Sequence, residues 1–276
     1  MPELPEVETV RKGLEQKIVG KKILKVTVRR DKTIEGVTAR EFEEKLQGQS
    51  FRSIQRRAKY LFLVMESGLT VIVHLKMSGN FLSHEPSVPL PVHTHVVFSL
   101  SDGKELRFKD LRAFGRMTLH NSFEEALKQG TIPKLAPEPL QEAFTLGHFK
   151  AKLKKFSSPI KPILLDQTKL VSGVGNIYAD ESLFLSGISP QRKASSIKPK
   201  EAESLFNAIK KVIAESIEAG GTSIRDYVQT DGSIGDYALK LFVYGRKKGN
   251  CLVCESPLSY IRLGQRGTHF CPSCQS

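Results

Sequence analysis

The sequence predicts an α+β protein with a β-rich N-terminal domain fronted by one helix, a helical second domain and a C-terminal four-cysteine tail. In the first half of the chain, apolar residues alternate with polar ones in several short runs, as in β-strands. After a proline-rich stretch, the apolar residues recur with the 3.6-residue period of a helix. All four cysteines fall within the last 26 residues. We place the domain boundaries at 1–133 for the β-rich domain, 134–142 for a linker, 143–238 for the helical domain and 239–276 for the tail.

A helix is predicted to open the chain. Pro5 fixes φ in a first turn, where Glu6 and Glu8 face the positive end of the helix dipole, and Glu8 is interpreted as nothing more than that. Apolar residues follow at helical spacing up to Gly20. Asp102-Gly103 lies between two apolar runs and indicates a hairpin turn, so a sandwich or flattened barrel is expected. Strands are predicted at Leu24, Val26 and Val28; at Tyr60, Phe62 and Val64; and at Val71 and Val73.

The second domain is predicted to begin after Pro133–Pro139, whose three prolines exclude a regular helix or a central strand. One helix is expected to begin at Asn176, after Gly173-Val174-Gly175, and a longer helix to end at Gly220-Gly221. From Tyr244 onward the pattern returns to short strands around the cysteines.

The charge balance indicates a polyanionic partner. Lys and Arg number 42 against 29 Asp and Glu, a net charge of +13, and the pI is about 9.6. Clustered basic residues gain affinity for nucleic acid by releasing counterions from phosphates, although a basic surface can also serve solubility alone. No apolar run approaches the ~20 residues that span a bilayer, and the acidic start is unlike a secretory signal peptide. We therefore expect a soluble intracellular protein without a membrane partner.

The cysteines form the strongest local pattern. Cys251 and Cys254 are separated by two residues, as are Cys271 and Cys274, and sixteen residues lie between the pairs. Two such pairs close a tetrahedral shell with no open position, which predicts one structural Zn²⁺ on a β-hairpin. Disulfides or free thiols are the alternative, but an intracellular chain favours zinc. Arg266 near the hairpin tip suits a bidentate phosphate contact, unless it is simply solvated.

The string Pro2-Glu3-Leu4-Pro5-Glu6-Val7-Glu8-Thr9 closely resembles the start of bacterial formamidopyrimidine-DNA glycosylases. The related endonuclease VIII group usually has glycine where Leu4 stands, so the resemblance favours the purine-lesion branch. It implies a helix-two-turn-helix module in the second domain and a monomer that acts on double-stranded DNA in the bacterial cytoplasm. Further stretches resemble the family in the same order along the chain: Arg56–Tyr60, His74–Gly79, Gly173–Tyr178, and the four-cysteine finger with Arg266.

The resemblance implies an enzyme that removes oxidised purines, such as 8-oxoguanine and formamidopyrimidines, and cleaves the strand. With Met1 removed, Pro2 would be the nucleophile, because an α-amino pKa of about 7.7–8.0 leaves a usable unprotonated fraction near neutral pH. Glu3 would be the general acid/base, and Lys59 would lie near the reacting sugar. Arg266 would hold the phosphate of the lesion and assist a second elimination. For Lys59, an ordinary exposed strand lysine is the alternative.

The resemblance also implies DNA contacts. Extruding a base costs a few kcal/mol of stacking, and Met77, Arg112 and Phe114 would fill the vacated space. His93 would contact DNA, and Asn176 would offer a phosphate both its side-chain amide and the N–H groups of a helix N-terminus. Core positions for Met77 and Phe114, and an ordinary loop histidine at position 93, are the alternatives.

Two regions need separate mention. At position 157, four residues before Lys161, many relatives carry a lysine that contacts a DNA phosphate, whereas this chain has Ser157. Lys155 or its neighbour Lys154 can supply the positive charge for that phosphate instead. The segment Gly220–Tyr227 resembles the family's mobile loop over the flipped base, although a glycine helix cap would explain its start.

Two other functions are compatible with the pattern. One is a zinc-ribbon DNA-binding protein without catalysis. The other is a monofunctional glycosylase that activates water through Glu3 and leaves the strand intact.

Overall fold

Residues 2–222, 236–247 and 249–276 are described by the structure, a computed structural model, in which the chain divides into two units. The first unit comprises Met1–Pro133 and Ala219–Asp236, and the second comprises Lys134–Glu218 and Tyr237–Ser276.

The first unit is a β-sandwich with a leading helix, as predicted. Its helices are α1 (Leu4–Ile18), α2 (Ala39–Leu46) and α3 (Phe123–Leu127). Its strands are β1 (Ile23–Val28), β2 (Ile34–Glu35), β3 (Phe51–Arg57), β4 (Tyr60–Met65), β5 (Thr70–His74), β6 (Gly79–His84), β7 (Thr94–Leu100), β8 (Glu105–Asp110) and β9 (Arg116–His120).

Two sheets share one core in this unit. One sheet has the strand order β1-β7-β8-β6 and the other β2-β9-β5-β4-β3, and only the β2–β9 pair is parallel. The apolar stripe of α1, from Val7 to Ile18, is buried in the same core as residues of both sheets. The hairpin turn between β7 and β8 contains Gly103 at a φ of 84°, which confirms the turn predicted from Asp102-Gly103.

One predicted alternation is wrong. Leu24 was expected on the same face as Val26, but its side chain is 52% exposed. The pairing of β1 with β7 shifts between Ile23 and Lys25, and Ile23 is buried instead. A bulge moves one residue to the opposite face, and a two-residue period in sequence does not reveal it.

The second unit is helical with a terminal hairpin. Helix α6 begins at Asn176, and α7 ends before the glycines at 220 and 221, which confirms both predicted boundaries. Four short 3₁₀ turns complete the described elements of both units: Asp31–Thr33, Ile132–Lys134, Ala194–Ser196 and Tyr237–Lys240. The helices are α4 (Leu146–Leu153), α5 (Ile160–Leu165), α6 (Asn176–Leu185) and α7 (Pro199–Glu218), and the hairpin strands are β10 (Ser259–Leu263) and β11 (Arg266–Phe270).

Within the part of the chain that the structure describes, every helix is too short or too polar to cross a membrane.

Candidate active site and nucleic-acid interface

A buried carboxylate fixes the start of the chain. The backbone N–H of Glu3 donates to Oε2 of Glu6 at 2.8 Å. The other oxygen of Glu6, Oε1, accepts the backbone N–H of Thr222 at 2.8 Å. Pro2, Glu3 and Glu6 are all buried, Glu3 being only 2% exposed. Glu6 therefore ties the predicted nucleophile and acid/base to the segment that follows α7 in sequence.

The glycine before Thr222 makes this contact possible. Gly221 has a φ of +85°, and a Cβ there would lie 3.2 Å from both Cγ and Oε1 of Glu6. Sequence reasoning placed Glu6 in the first helical turn only and missed its link to Thr222. No local signal could have revealed it, because 216 positions separate the two residues.

Lys59 is buried in a strained turn. Ala58 and Lys59 form the two-residue connection between β3 and β4, and Ala58 has a φ of 50°. This left-handed conformation costs an L-residue about 1–2 kcal/mol. Arg56 donates through Nη1 to the Ala58 carbonyl at 3.0 Å and through Nε to Oε2 of Glu8 at 2.7 Å. Lys59 is 5% exposed, so the alternative of an exposed strand lysine is wrong.

Glu8 does more than face a helix dipole. Its carboxylate accepts hydrogen bonds from Arg56 at 2.7 Å and from Arg11 at 2.9 Å. Burial alone would raise the pKa of Glu8, but the hydrogen bonds from the two arginines outweigh it and lower that pKa below its usual value. The ionised carboxylate joins α1 to β3 and, through Arg56, supports the turn that contains Lys59.

His74, at the end of β5, is neutral and lies among lysines. Burial, followed by the charges of Lys76 and Lys59, lowers the pKa of His74 to about 3. Its Nδ1 accepts the backbone N–H of Lys76 at 3.0 Å, so the proton of the neutral ring is on Nε2. A neutral donor beside two ammonium groups is a suitable environment for a phosphate. Sequence reasoning quoted His74 within a motif and gave it no role.

The predicted wedge residues lie on loops of the first unit. Phe114 is 47% exposed, which contradicts a core position, and Arg112 is exposed with its guanidinium 5.3 Å from the centre of the Phe114 ring. Met77 is half-buried. His93 is exposed and has a φ of 68°. Their contacts with DNA stay predictions.

In the second unit, the residue after Arg266 is anchored by two donors. The carbonyl of Gly267 accepts hydrogen bonds from Lys161 Nζ at 2.9 Å and from Asn176 Nδ2 at 3.0 Å. Lys161 also forms an ion pair with Asp180, 2.7 Å from Nζ to Oδ1, and both side chains have no exposed surface. Arg266 itself is exposed. The exposed guanidinium thus extends from a backbone that buried groups hold in place.

The interior of this hairpin is equally constrained. The backbone N–H of His269 donates to Oδ2 of Asp180 at 3.0 Å. A Cβ on Gly267 would lie 2.5 Å from the Tyr260 hydroxyl, so the Tyr260 ring packs directly over the glycine and would have to shift for a larger residue. The Asn176 amide, expected to face a phosphate, donates within the protein to Gly267, and the backbone N–H groups at the start of α6 remain its predicted phosphate contact.

The remaining predicted contacts lie at the surface. Lys154, Lys155 and Ser157 are exposed after α4, so either lysine is accessible to a phosphate. Of the predicted loop Gly220–Tyr227, the residues from Ser223 onward lie outside the described residues.

The four cysteines fit a zinc ion. The ligand sulfurs of Cys251, Cys254, Cys271 and Cys274 all lie within 4.8 Å of one another. Two of the Sγ–Sγ distances are 3.8 Å and 3.5 Å, too long for disulfides, whereas sulfurs bound tetrahedrally at about 2.3 Å from Zn²⁺ are about 3.8 Å apart. The cluster is a closed site for one structural Zn²⁺.

Hydrogen bonds at the cluster shift the pKa values of two of these thiols in opposite directions. Hydrogen bonds from Ser256 lower the pKa of Cys254 to about 6. The hydrogen bond with Cys254, followed by burial, raises the pKa of Cys274 to about 12. A divalent cation at the centre would favour the thiolate form of all four cysteines.

Three family models match the chain. Their descriptions are formamidopyrimidine-DNA glycosylase N-terminal domain over residues 1–117, formamidopyrimidine-DNA glycosylase H2TH domain over 135–228, and zinc finger found in FPG and IleRS over 250–276.

Curated relatives and solved structures agree with these matches. Formamidopyrimidine-DNA glycosylases of Listeria monocytogenes and Desulfitobacterium hafniense are 44% and 45% identical over 275 residues, with both chains covered completely. A complex of Lactococcus lactis Fpg with DNA containing an abasic site has a TM-score of 0.93 and 35% identity, covering 99% of each chain. A MutM complex with DNA containing carbocyclic 8-oxo-G has a TM-score of 0.93 and 36% identity over all of both chains.

Proposed function

Because this chain belongs to the formamidopyrimidine-DNA glycosylase family of bifunctional glycosylases and AP lyases, we propose that it excises oxidised purines from duplex DNA through the amine of Pro2. The lesions are 8-oxoguanine and ring-opened formamidopyrimidines. The strand is then cleaved at the abasic site by β,δ-elimination, and the enzyme works on DNA in the bacterial cytoplasm.

The reaction requires one amine. With Met1 removed, the Pro2 nitrogen attacks C1′ of the deoxyribose and displaces the base, which leaves with the proton lost by the amine. The C1′–O4′ bond then breaks as Glu3 gives a proton to O4′, so the sugar ring opens and an iminium forms between C1′ and Pro2. The resulting iminium withdraws electrons and acidifies the C2′ proton, so loss of that proton expels the 3′ phosphate. A second elimination expels the 5′ phosphate. A secondary amine with a pKa near 8 performs these steps without the two-unit pKa depression that a lysine would need.

The observation that carries this proposal is the immobilised start of the chain. Pro2 and Glu3 are buried, and the 2.8 Å hydrogen bond from Glu3 to Glu6 fixes the backbone between them. A nucleophile held in one place avoids the entropic cost of finding its target. Glu3, as the adjacent carboxyl group, handles protons on the opening sugar.

Two cations complete the proposed chemistry. Lys59 supplies positive charge near the reacting sugar from the β3–β4 turn, and Arg266 supplies a bidentate phosphate clamp from the hairpin. The anchored Gly267 carbonyl supports the role of Arg266, because a guanidinium on a fixed backbone loses less entropy when it binds. Zinc acts by folding this hairpin.

The DNA contacts follow from exposure and charge. Arg112 and Phe114, together with the half-buried Met77, fill the gap left by the extruded base. The other proposed contacts to DNA are His93, Lys155 and Asn176.

Blocking the amine tests the proposal without altering any side chain. One preparation retains an N-terminal extension that acylates Pro2, and the same preparation is then cleaved to free it. A C-terminal extension of equal length is the control. The blocked protein should bind lesion DNA yet release no base and cut no strand, and cleavage should restore both activities.

Two outcomes contradict the mechanism. Strand cleavage by the blocked protein would exclude Pro2 as the nucleophile. Base release with the strand intact, by the freed protein, would favour hydrolysis through water activated by Glu3.

A further inference from the structure

A single buried carboxylate lies beneath the loops of the first unit. Asp110, at the end of β8, has no exposed surface. Its Oδ1 accepts the hydroxyl of Ser78 at 2.5 Å and the backbone N–H of Arg112 at 3.3 Å. Its Oδ2 accepts the backbone N–H of Gly115 at 2.6 Å. The two oxygens thus receive three donors from two different loops.

The backbone of Asp110 adds connections to a third segment. Its N–H donates to the carbonyl of His93 at 3.0 Å. Its carbonyl accepts from Nε2 of His95 at 2.8 Å and from the N–H of Ala113 at 3.1 Å. Asp110 therefore joins the start of β7 to the loop that follows β8.

The residues bonded to Asp110 include or adjoin the four residues of the first unit that we expect to act as wedge or loop contacts to DNA, namely Met77, His93, Arg112 and Phe114. Ser78 follows Met77, and Gly115 follows Phe114. Arg112 and His93 bond to Asp110 directly through their backbones.

The Asp110 carboxylate is closely packed against the loop that contains Gly115. A Cβ on Gly115 would lie 2.6 Å from Cζ of Phe108 and 3.0 Å from Oδ2 of Asp110. Ala113, in the same loop, has a φ of 55°. A loop in such a conformation keeps its shape only where surrounding bonds impose it.

We propose that Asp110 is the positioning residue for base extrusion: it holds the Met77 loop and the Arg112–Phe114 loop in one arrangement, so that the wedge enters the duplex as a unit. This inference rests on the proposed function. The carboxylate suits the task because both of its oxygens only accept hydrogen bonds. In Asp110→Asn, an NH₂ group replaces one acceptor oxygen. Facing Gly115, it meets a backbone N–H that cannot accept; facing Ser78, it opposes the Arg112 N–H and leaves the Ser78 hydroxyl, which accepts that N–H at 3.0 Å, without its carboxylate acceptor. In either orientation one loop is held less firmly.

The test compares two DNA substrates, of which only one requires the wedge residues to replace an extruded base. Duplex DNA with 8-oxoguanine requires extrusion of a stacked base, which costs a few kcal/mol, whereas a single-stranded oligonucleotide with an abasic site has no base to extrude. Asp110→Asn should lower the single-turnover rate of excision from the duplex at least about tenfold and change single-strand cleavage by less than about twofold. 2-Aminopurine beside the lesion should lose the fluorescence change that reports unstacking.

Two further variants make the outcome decisive. Asp102→Asn, on an exposed carboxylate in the β7–β8 turn, is the matched control and should leave both rates unchanged. Gly115→Ala disturbs the same anchor by crowding Phe108 and Oδ2 of Asp110 while it leaves the chemistry of the carboxylate unchanged. It replaces Asp110→Asn if circular dichroism shows that variant to be unfolded.

Equal losses on both substrates, or an unchanged rate on the duplex, would overturn the positioning role. Failure of the unaltered protein to cleave the abasic single strand would instead overturn the proposed function.

Discussion

Replacing Lys161 by methionine should destabilise the second unit far more than the loss of an ordinary lysine. The ammonium group of Lys161 lies 2.7 Å from Oδ1 of Asp180 and donates to the Gly267 carbonyl and the Thr268 hydroxyl, each at 2.9 Å. Both charged side chains have no exposed surface. Removing one partner of such a pair leaves an uncompensated buried charge, which costs about 3–5 kcal/mol.

Removing both charges should cost less than removing one. In the double variant Lys161→Met with Asp180→Leu, no unpaired charge remains, and the main loss is the acceptor for the His269 N–H, about 1–3 kcal/mol. Lys169→Met is the matched control, because Lys169 and Asp166 form a surface pair with each side chain 37% exposed. That variant should lose at most about 1 kcal/mol.

The assay is urea unfolding of the zinc-loaded full chain. The chain contains no Trp, so far-UV circular dichroism is the probe. A loss below about 1 kcal/mol for Lys161→Met, or a double variant as unstable as the sum of its single variants, would refute the reasoning.

Four other results are expected. Glu6→Gln offers one acceptor oxygen to the N–H groups of Glu3 and Thr222, so base excision should slow by about tenfold while the fold persists; unchanged single-turnover kinetics would contradict this coupling. Cys254→Ser should abolish zinc binding and DNA affinity but leave the first unit folded, as metal analysis, gel shift and circular dichroism would show; equal affinity with and without zinc would exclude the finger from the interface. Burial and the nearby lysines hold the pKa of His74 at about 3 in the folded state against 6.5 when unfolded, so the unfolded chain binds the proton first. The contribution of neutral His74 to the free energy of unfolding is therefore fully present above pH 6.5. It should fall by up to about 1.4 kcal/mol per pH unit as the pH drops toward 3, and His74→Asn should flatten that slope; identical slopes in both proteins would contradict it. DNA affinity should drop steeply with salt in a titration, because counterion release drives phosphate binding, and a flat response would argue against phosphate contacts.

Features encoded by neighbouring residues could be predicted from the sequence. The start of α6 at Asn176, the hairpin turn at Asp102-Gly103 and the four-cysteine site each depend on a few adjacent positions with strong chemical preferences. The leading helix could be predicted for the same reason.

Features that depend on distant residues could not be predicted. Glu6 and Thr222 meet across 216 positions, and the bulge that exposes Leu24 arises from pairing with β7. Lys161 served only as a reference position for a motif, because lysine is rarely buried and its partner Asp180 lies in another helix. In the sequence, Asp110 is an ordinary acidic residue at the end of a strand, because its hydrogen-bond donors come from two separate loops.

Trapping with borohydride tests the central claim most directly. Sodium borohydride reduces an iminium between the protein and abasic DNA to a stable amine, and tandem mass spectrometry of the digested adduct identifies the attached nitrogen. We expect the mass of the reduced sugar on Pro2 at the start of a chain that has lost Met1. An adduct on Lys59 or another lysine, or full cleavage activity in protein that retains Met1, would contradict the account.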